Sequence, residues 1–505
     1  MGRPLICLSL TCPTLWENAE LVERYAKFVD VAELRVDFLT EEEQLVVRKF
    51  PSMIKIPCIL TIRRVNDKGQ FTSSEFSRTA LFGRALAFAN RNPEKNFAYV
   101  DFEEDFHIPS LEDAALAFGV KIIRSCHKFD GPITNIREKC ESMRKTGYEI
   151  PKLVFTPRNL SDVTRLFKEA ESFTEFDHIL YLEGPFGIPS RILSYKIHSY
   201  MTYSSPRETL DKLSGSAQPD PMTLTDIYNF RNLSESTEIT AITGNPLNNT
   251  SIQFLHNVGY RTQDMDRVLV PMYSTSIIES LEFAEQVGVT GMAIAVPFNK
   301  EIMYNLEELD AKTAEIDACN TIIRKNGRWI GHDTNAYGFQ KALSEFLGVS
   351  KLRRKKVSII GAGGAAHAIA YTIKQMGGKA CVFNRTIAKA KILAERYGFS
   401  YAALGVENIS TLEKYSDVII QTTDVGQYSR GTSSRENNPL WFYQFKGHES
   451  LFELIYFPEQ TPIMKAALEA GCKVCNGLPM LKYQTYSQFK HFTGREYKNP
   501  DLRRI

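Results

Sequence analysis

The sequence predicts an α/β protein in two halves: a parallel (β/α)8 barrel over residues 1–230, then a two-domain half that ends in a nucleotide-binding domain. Three observations carry this. Eight short apolar runs recur through the first 230 residues with helix-like stretches between or after them. Residues 356–385 read strand, glycine-rich turn, helix, strand. A chain of 505 residues exceeds one ordinary domain and suggests two to four.

The barrel strands are expected at Leu5–Thr11, Val31–Phe38, Cys58–Arg63, Phe97–Glu103, Lys121–His127, Lys152–Thr156, His178–Glu183 and Tyr200–Ser204. Leu15–Val29, Arg78–Asn90, Ile133–Thr146 and Ser161–Ser172 have helical spacing, and Thr223–Asn229 follows the eighth strand. Eight such units close a barrel, whose chemistry sits at the C-terminal ends of its strands. Residues 233–237 form a polar joint. A smaller α/β domain is expected over 238–334, a nucleotide-binding domain over 335–476, and a helical segment over 477–505 that returns to the smaller domain.

In the nucleotide-binding stretch, Val357–Ile360 is β-branched and apolar, as a buried parallel strand requires. Gly361, Gly363 and Gly364 follow at once, and a helix-forming run begins at Ala365. The glycines permit a tight turn and let backbone amides approach a pyrophosphate at the helix N-terminus. The second strand ends in Asn384-Arg385-Thr386 rather than in an acid for the ribose 2′-hydroxyl. A guanidinium pairs bidentately with a 2′-phosphate, which favours NADP over NAD. The alternative is a solvated arginine at a strand end.

Composition excludes other classes. The apolar fraction of 43% and charged fraction of 24% are those of globular protein. A net charge of +2, spread along the chain, leaves no nucleic-acid footprint. No apolar run approaches a membrane span, and the first residues enter a strand pattern without a signal-peptide layout. Nine scattered cysteines fit a reducing cytoplasm, and Cys472 and Cys475 read as structural because no second pair accompanies them. No metal site is expected, and nothing specifies an oligomeric state.

At the barrel's C-terminal rim, polar residues converge. Glu33, Arg35 and Asp37 alternate along the second strand and so face one way. Arg63 ends the third strand, Asp101 and Glu103 close the fourth, and His127 ends the fifth. Lys152 lies in an apolar strand, and lysines are rarely buried without a reason. Desolvation and nearby cations lower such a lysine's pKa, and its neutral amine attacks ketones. A lysine reaching solvent from a strand start and a packed core histidine are the plain alternatives.

Glu33-Leu-Arg35-Val-Asp37, Thr61-Ile-Arg63, Ser125-Cys-His127, Lys152, the stretch 184–191 ending in Ser190-Arg191, and Ser214–Gln218 together resemble type I 3-dehydroquinate dehydratases. The resemblance implies a Schiff base on Lys152, proton transfer by His127, a carboxylate clamp at Arg191, and ring-hydroxyl and lid contacts from Glu33, Arg35, Arg63, Ser214 and Gln218. Asp67 stands where that family has a glutamate that orients the histidine. The final loop reads Gly-Ser-Ala where the family has Ala-Pro-Gly. Another lysine Schiff-base enzyme, such as an aldolase, is disfavoured by Arg191 and the 214–218 loop.

In the second half, Gly244-Asn-Pro246, Asp317–Thr321, Gly331–Gly338, the 361–366 turn, Tyr456-Phe-Pro458 and Gly477–Gln484 resemble shikimate dehydrogenase. The whole chain therefore resembles the bifunctional shikimate-pathway lyase and oxidoreductase of aromatic amino acid biosynthesis. Its substrates would be 3-dehydroquinate, then 3-dehydroshikimate, reduced to shikimate with NADPH. Cofactor contacts are implied for Gly361, Gly363, Gly364, Ala365, Asn384, Arg385, Thr386, Thr422 and Gly477, and substrate contacts for Thr250, Asn320, Asn335 and Gln484. The family's catalytic lysine and aspartate are Asn299 and Asn335 here, and neither asparagine relays a proton. Its carboxylate-binding serines are Thr250 and Ile252. Three readings follow: a rebuilt dyad of Lys300 and Asp333, a different substrate needing no carboxylate clamp, or a binding module without turnover.

Overall fold

The computed structural model describes residues 2–86, 92–213, 218–247, 251–429 and 433–498. The chain forms two compact units, one of Met1–Ala241 with Asp264–Val289, the other of Ile242–Gln263 with Thr290–Ile505.

In the first unit, β1 (Leu5–Leu10), β2 (Val31–Arg35), β3 (Cys58–Thr61), β4 (Tyr99–Glu103), β5 (Lys121–Lys128), β6 (Ile150–Phe155), β7 (Ile179–Leu182) and β8 (Met201–Ser204) form an eight-stranded sheet. Its ladder order is β7-β6-β5-β4-β3-β2-β1-β8. Every pairing is parallel, and register sets Ser9 beside Glu33, Arg35 beside Thr61, Thr61 beside Asp101 and Ser125 beside Lys152. These adjacent polar positions form one layer at the C-terminal ends of the strands. Below it Cys7, Val31, Ile59, Ile123, Ile150 and Ile179 pack into an apolar cluster.

Two local features differ from the sequence expectation. The second strand stops at Arg35 and a 3-10 turn covers Val36–Phe38, because the Asp37 carboxylate accepts from the Arg63 and Gln70 amides and from the Arg35 side chain. The ring also does not close by a full ladder: β7 and β8 share only an isolated bridge between His178 and Ser199. Side chains stitch the seam instead. Ser199 Oγ accepts from the Leu180 amide and donates to the Met201 carbonyl, Ser190 Oγ accepts from the Leu182 amide, and Arg191 donates to the Leu182 and Tyr203 carbonyls. Backbone groups that a ladder would pair are satisfied in this way.

After β9 (Glu238–Gly244), the strand β10 (Arg267–Tyr273) leads into the helix Ile277–Val287. Residues 264–289, expected in the smaller domain, supply β10 as the neighbour of β9 in a six-stranded sheet, and they also pack with the barrel. Phe283 meets Phe167 of the helix Leu160–Ala170 edge-on at 5.2 Å, Tyr273 meets Phe186 at 4.9 Å, and Glu279 accepts from the Leu160 amide.

In the second unit, β11 (Val289–Ile294), β12 (Glu308–Leu309), β13 (Thr321–Lys325) and β14 (Arg328–His332) are neighbours in the order β11-β13-β14-β12. The nucleotide-binding sheet contains β15 (Lys356–Ile360), β16 (Lys379–Asn384), β17 (Ser400–Ala403), β18 (Val418–Gln421), β19 (Ser450–Glu453) and β20 (Lys473–Cys475). Its order is β17-β16-β15-β18-β19-β20, all parallel, with apolar clusters on both faces. The order reverses between β15 and β18, which is where such folds bind dinucleotides. The helix Leu478–Thr493 returns against the helix Asn335–Leu347. Gly338 permits that approach, since a Cβ there would lie 2.8 Å from the Gln484 nitrogen. Among the described residues no helix is long and apolar enough to cross a membrane.

Candidate active sites

The barrel's polar layer centres on Lys152, which is 1% exposed. Its Nζ donates to Asp101 Oδ2 at 3.0 Å, lies 3.6 Å from Glu33 Oε1, and sits 4.2 Å from the centre of the Tyr203 ring. Glu33 is held in turn by Ser9 (2.8 Å) and Thr61 (3.1 Å). Burial works against the Lys152 charge, but Asp101, Tyr181 and Glu33 outweigh it and the pKa is raised. The expected neutral amine is therefore not the resting state. Asp101, 51 positions upstream in sequence, is brought against Lys152 by barrel closure and supplies the compensating charge.

Arg63 is another buried cation in this layer. It donates to Asp101 Oδ2 (3.0 Å) and Ser125 Oγ (2.9 Å), and its Nη1 lies 3.3 Å from His127 Nδ1. A guanidinium has no acceptor, so Nδ1 accepts and the ring proton is assigned to Nε2. Burial, Arg63 and Lys152 together push the His127 pKa well below its ordinary value, so the ring is neutral near pH 7. Burial opposes the charge of Asp101, but Arg63 and Lys152 hold its carboxyl well below the usual range.

The remaining barrel residues divide. Arg35 is paired with Asp37 at 2.7 Å rather than projecting free. Arg191 is fully buried at the seam. Gln218 accepts from Ser205 at 2.5 Å, and Ser214 lies outside the described residues. Asp67 is not joined to His127: its carboxylate accepts from Arg64 Nε at 2.5 Å, and Arg64 also grips Asp105 at 2.7 Å. The shorter side chain is captured by the arginine three positions before it.

In the second unit the structure does not assemble Lys300 and Asp333 into a dyad. Lys300 is half-exposed and pairs with Asp317 at 3.4 Å. Asp333 is 1% exposed, and its Oδ1 accepts from the Ala336 amide (2.8 Å) at the start of the helix Asn335–Leu347. Burial raises its pKa to about 6. Asn299 donates to the Ile294 and Cys319 carbonyls. Asn320 donates to Asn335 at 2.9 Å and accepts from Thr334 and Thr321, so its amide is occupied. Ile252 is buried, Gln484 packs at Gly338, and Thr250 lies outside the described residues.

The dinucleotide turn is better matched to a ligand. Gly361 has φ 112°, and a Cβ there would fall 2.5 Å from Thr422 Oγ1, which itself donates to the Ile360 carbonyl. Gly363 has open space where a Cβ would stand, and the helix Gly364–Gln375 starts there with Ala365 in its first turn. Asn384 donates to the Thr386 carbonyl, and the exposed Arg385 lies between them. Gly477 packs against the Leu454 backbone, where a Cβ would collide at 1.9 Å, so its glycine serves the entry of the last helix.

Residues 6–235 match the family Type I 3-dehydroquinase, residues 242–322 the shikimate dehydrogenase substrate binding domain, and residues 342–435 the family Shikimate / quinate 5-dehydrogenase. The chain is 31% identical over 277 residues to a shikimate dehydrogenase (NADP(+)) of Bacillus cereus strain AH187, covering 53% of this chain and 96% of that protein. The chain belongs to the shikimate dehydrogenase family, with a type I 3-dehydroquinase domain ahead of it. It is also 27% identical over 490 residues to the chloroplastic bifunctional 3-dehydroquinate dehydratase/shikimate dehydrogenase of Arabidopsis thaliana, covering 92% of this chain and 78% of that protein. A solved structure of dehydroquinate dehydratase and shikimate dehydrogenase from S. pombe AroM aligns over 98% of this chain and 97% of its own, at 21% identity and TM-score 0.43.

Within the dehydroquinase domain, sequence reading missed Tyr181 and Tyr203 as part of the lysine's surroundings. Both lie on β7 and β8 among apolar residues, and only their inward direction distinguishes them. Asp101 was seen at a strand end but not as the lysine's counter-ion. Within the shikimate dehydrogenase half, among the described residues, no group of three or more histidine, cysteine or acidic side chains could hold a metal ion.

Proposed function

We propose that the barrel dehydrates 3-dehydroquinate to 3-dehydroshikimate through a Schiff base on Lys152, and that the second half is built to reduce that product to shikimate with NADPH. The observation that carries the first activity is an ammonium sealed among Asp101, Glu33 and the Tyr203 ring, above an apolar cluster inside the barrel. The lysine amine adds to the ring ketone, water leaves, and the resulting iminium acidifies the adjacent C–H bond. His127 is neutral, and a substrate hydroxyl that draws Arg63 away frees its Nδ1 to take that proton. The proton is returned to the departing hydroxyl, which leaves as water, and hydrolysis of the imine then frees 3-dehydroshikimate and the Lys152 amine. Because the Lys152 pKa is raised, imine formation needs the ammonium to lose its proton first, and the rate should climb with pH on the alkaline side.

Borohydride added with 3-dehydroquinate should fix a stable adduct on the peptide carrying Lys152 and abolish dehydration. Lys152→Ala should lose at least about a thousandfold in kcat, the scale of a nucleophile and its activation, while NADPH binding is unchanged. An unmodified Lys152 in inactivated protein would overturn the reading.

For the second half, the open space at Gly363, the helix start beside it and the exposed Arg385 suit a dinucleotide bearing a 2′-phosphate. Bound NADPH would supply hydride. The backbone amides at residues 363–365 would hold its pyrophosphate, and Arg385 with Asn384 and Thr386 would select the phosphorylated ribose. A second reading, a slow or binding-only module, is favoured by one observation: Asn299 and Asn335 stand at the dyad positions, both with their amides engaged, while Lys300 and Asp333 are held elsewhere. We assign the protein to a reducing compartment, the cytoplasm, on its nine free cysteines.

A further inference from the structure

The barrel carries an ion pair that its proposed chemistry does not use. Lys68 lies in the turn after β3, and Glu183 directly follows β7. In the ladder order these strands are four places apart in either direction, so they face each other across the barrel. Lys68 Nζ nevertheless reaches Glu183 Oε2 at 3.2 Å. On the way it passes 3.9 Å from the centre of the Phe129 ring, and that ring stacks on His127 with centroids 6.0 Å apart. The contact therefore crosses the mouth directly over the catalytic histidine.

Two further observations mark the pair as built rather than incidental. Lys68 caps the 3-10 turn Val65–Asp67 with φ 58°, its amide donating to the Val65 carbonyl, so the side chain starts from a backbone fixed by the turn. Glu183 is 13% exposed in its side chain, and its charge is felt by Arg191, countering the burial that lowers the Arg191 pKa. An anion at that end of the pocket would repel the carboxylate that Arg191 is expected to clamp.

We propose that Lys68 and Glu183 form a charged strap across the barrel mouth that positions His127 through Phe129 and neutralises Glu183 beside Arg191, making Lys68 a positioning and specificity-determining residue for an anionic substrate. The proposal rests on the dehydratase reading for its substrate, and on geometry alone for the strap.

The test compares Lys68→Met, Glu183→Gln and the double variant in the full chain. Lys68→Met leaves the Glu183 carboxylate uncompensated and releases Phe129, so KM for 3-dehydroquinate should rise about fivefold and kcat should fall several-fold as His127 loses its positioning. Adding Glu183→Gln should return KM to within about twofold of the parent. Hydrogen exchange of residues 64–70, measured without substrate, should accelerate in both single variants. Exchange rates equal to the parent's, or a double variant no better than Lys68→Met, would overturn the strap. Because the exchange readout needs no turnover, a parent without dehydratase activity would sink the functional reading and leave the strap to be judged on its own.

Discussion

Single residues decide the charge states on which this protein's chemistry depends, and one buried acid outside the barrel makes that testable. Glu453 at the end of β19 is fully buried, with its carboxylate oxygens accepting from the Ile455 amide and the Thr461 hydroxyl, both at 3.0 Å. Burial pushes its pKa from 4.5 up to about 8. A carboxyl raised in this way stabilises the fold fully below its unfolded pKa, and the contribution is lost as pH climbs from there to the folded value. Glu453→Gln has no proton to lose, so its unfolding free energy should gain on the parent's between about pH 5 and pH 8, by at most about 1.4 kcal/mol per pH unit. A constant offset across that range would show that Glu453 titrates normally. His256, His367 and His491, lowered by burial to about 4, act with the opposite sign: their contribution is complete above about pH 6.5 and lost as pH falls towards 4. Comparing variant with parent isolates the carboxyl from that background.

At the scale of elements, β16 ends in the residues proposed to select the cofactor. Arg385 is exposed, and Asn384 shapes the turn behind it by donating to Thr386. Arg385→Ala should weaken NADPH binding by roughly 2–3 kcal/mol, the scale of a charge-assisted contact, and leave NADH binding nearly unchanged. Equal losses, measured by fluorescence titration of both nucleotides, would reduce the arginine to a structural role. The elements themselves were largely legible in the sequence. Barrel strands are continuous apolar runs because both faces are buried, and the 356–385 unit has its strand, glycines and helix in immediate succession. What was not legible depends on partners distant in sequence. The stop of β2 at Arg35 is set by amides at Arg63 and Gln70, and the Lys152 charge by Asp101. The fate of Asp67 turned on a single methylene and on an arginine near enough to take it.

For the whole molecule, the two proposed activities make one discriminating measurement possible. With 3-dehydroquinate and NADPH supplied together, the enone absorbance of 3-dehydroshikimate should accumulate while nicotinamide absorbance falls slowly, since general acid–base help worth about 10²- to 10⁴-fold is missing at Asn299 and Asn335. Asn299→Lys with Asn335→Asp should restore NADP-dependent shikimate oxidation by a hundredfold or more. A parent that reduces the enone as fast as it forms, and loses this on Lys300→Ala, would show that the half uses its own dyad on closing. No gain from the double variant would mean the pocket serves another ligand. The identity of the two domains was readable along the whole chain, but the competence of the second was not, because it turns on whether four side chains meet, and sequence spacing does not measure that.

The junction of β7 and β8 has a consequence for how the barrel comes apart. A cylinder of eight ladders has no preferred place to tear, whereas this one is laced shut on one side by two serines and an arginine. The same Arg191 that ties the lacing is the residue proposed to grip the substrate. A substrate gripped there would draw on the fastening of the wall, tying ligand binding and barrel integrity to one guanidinium.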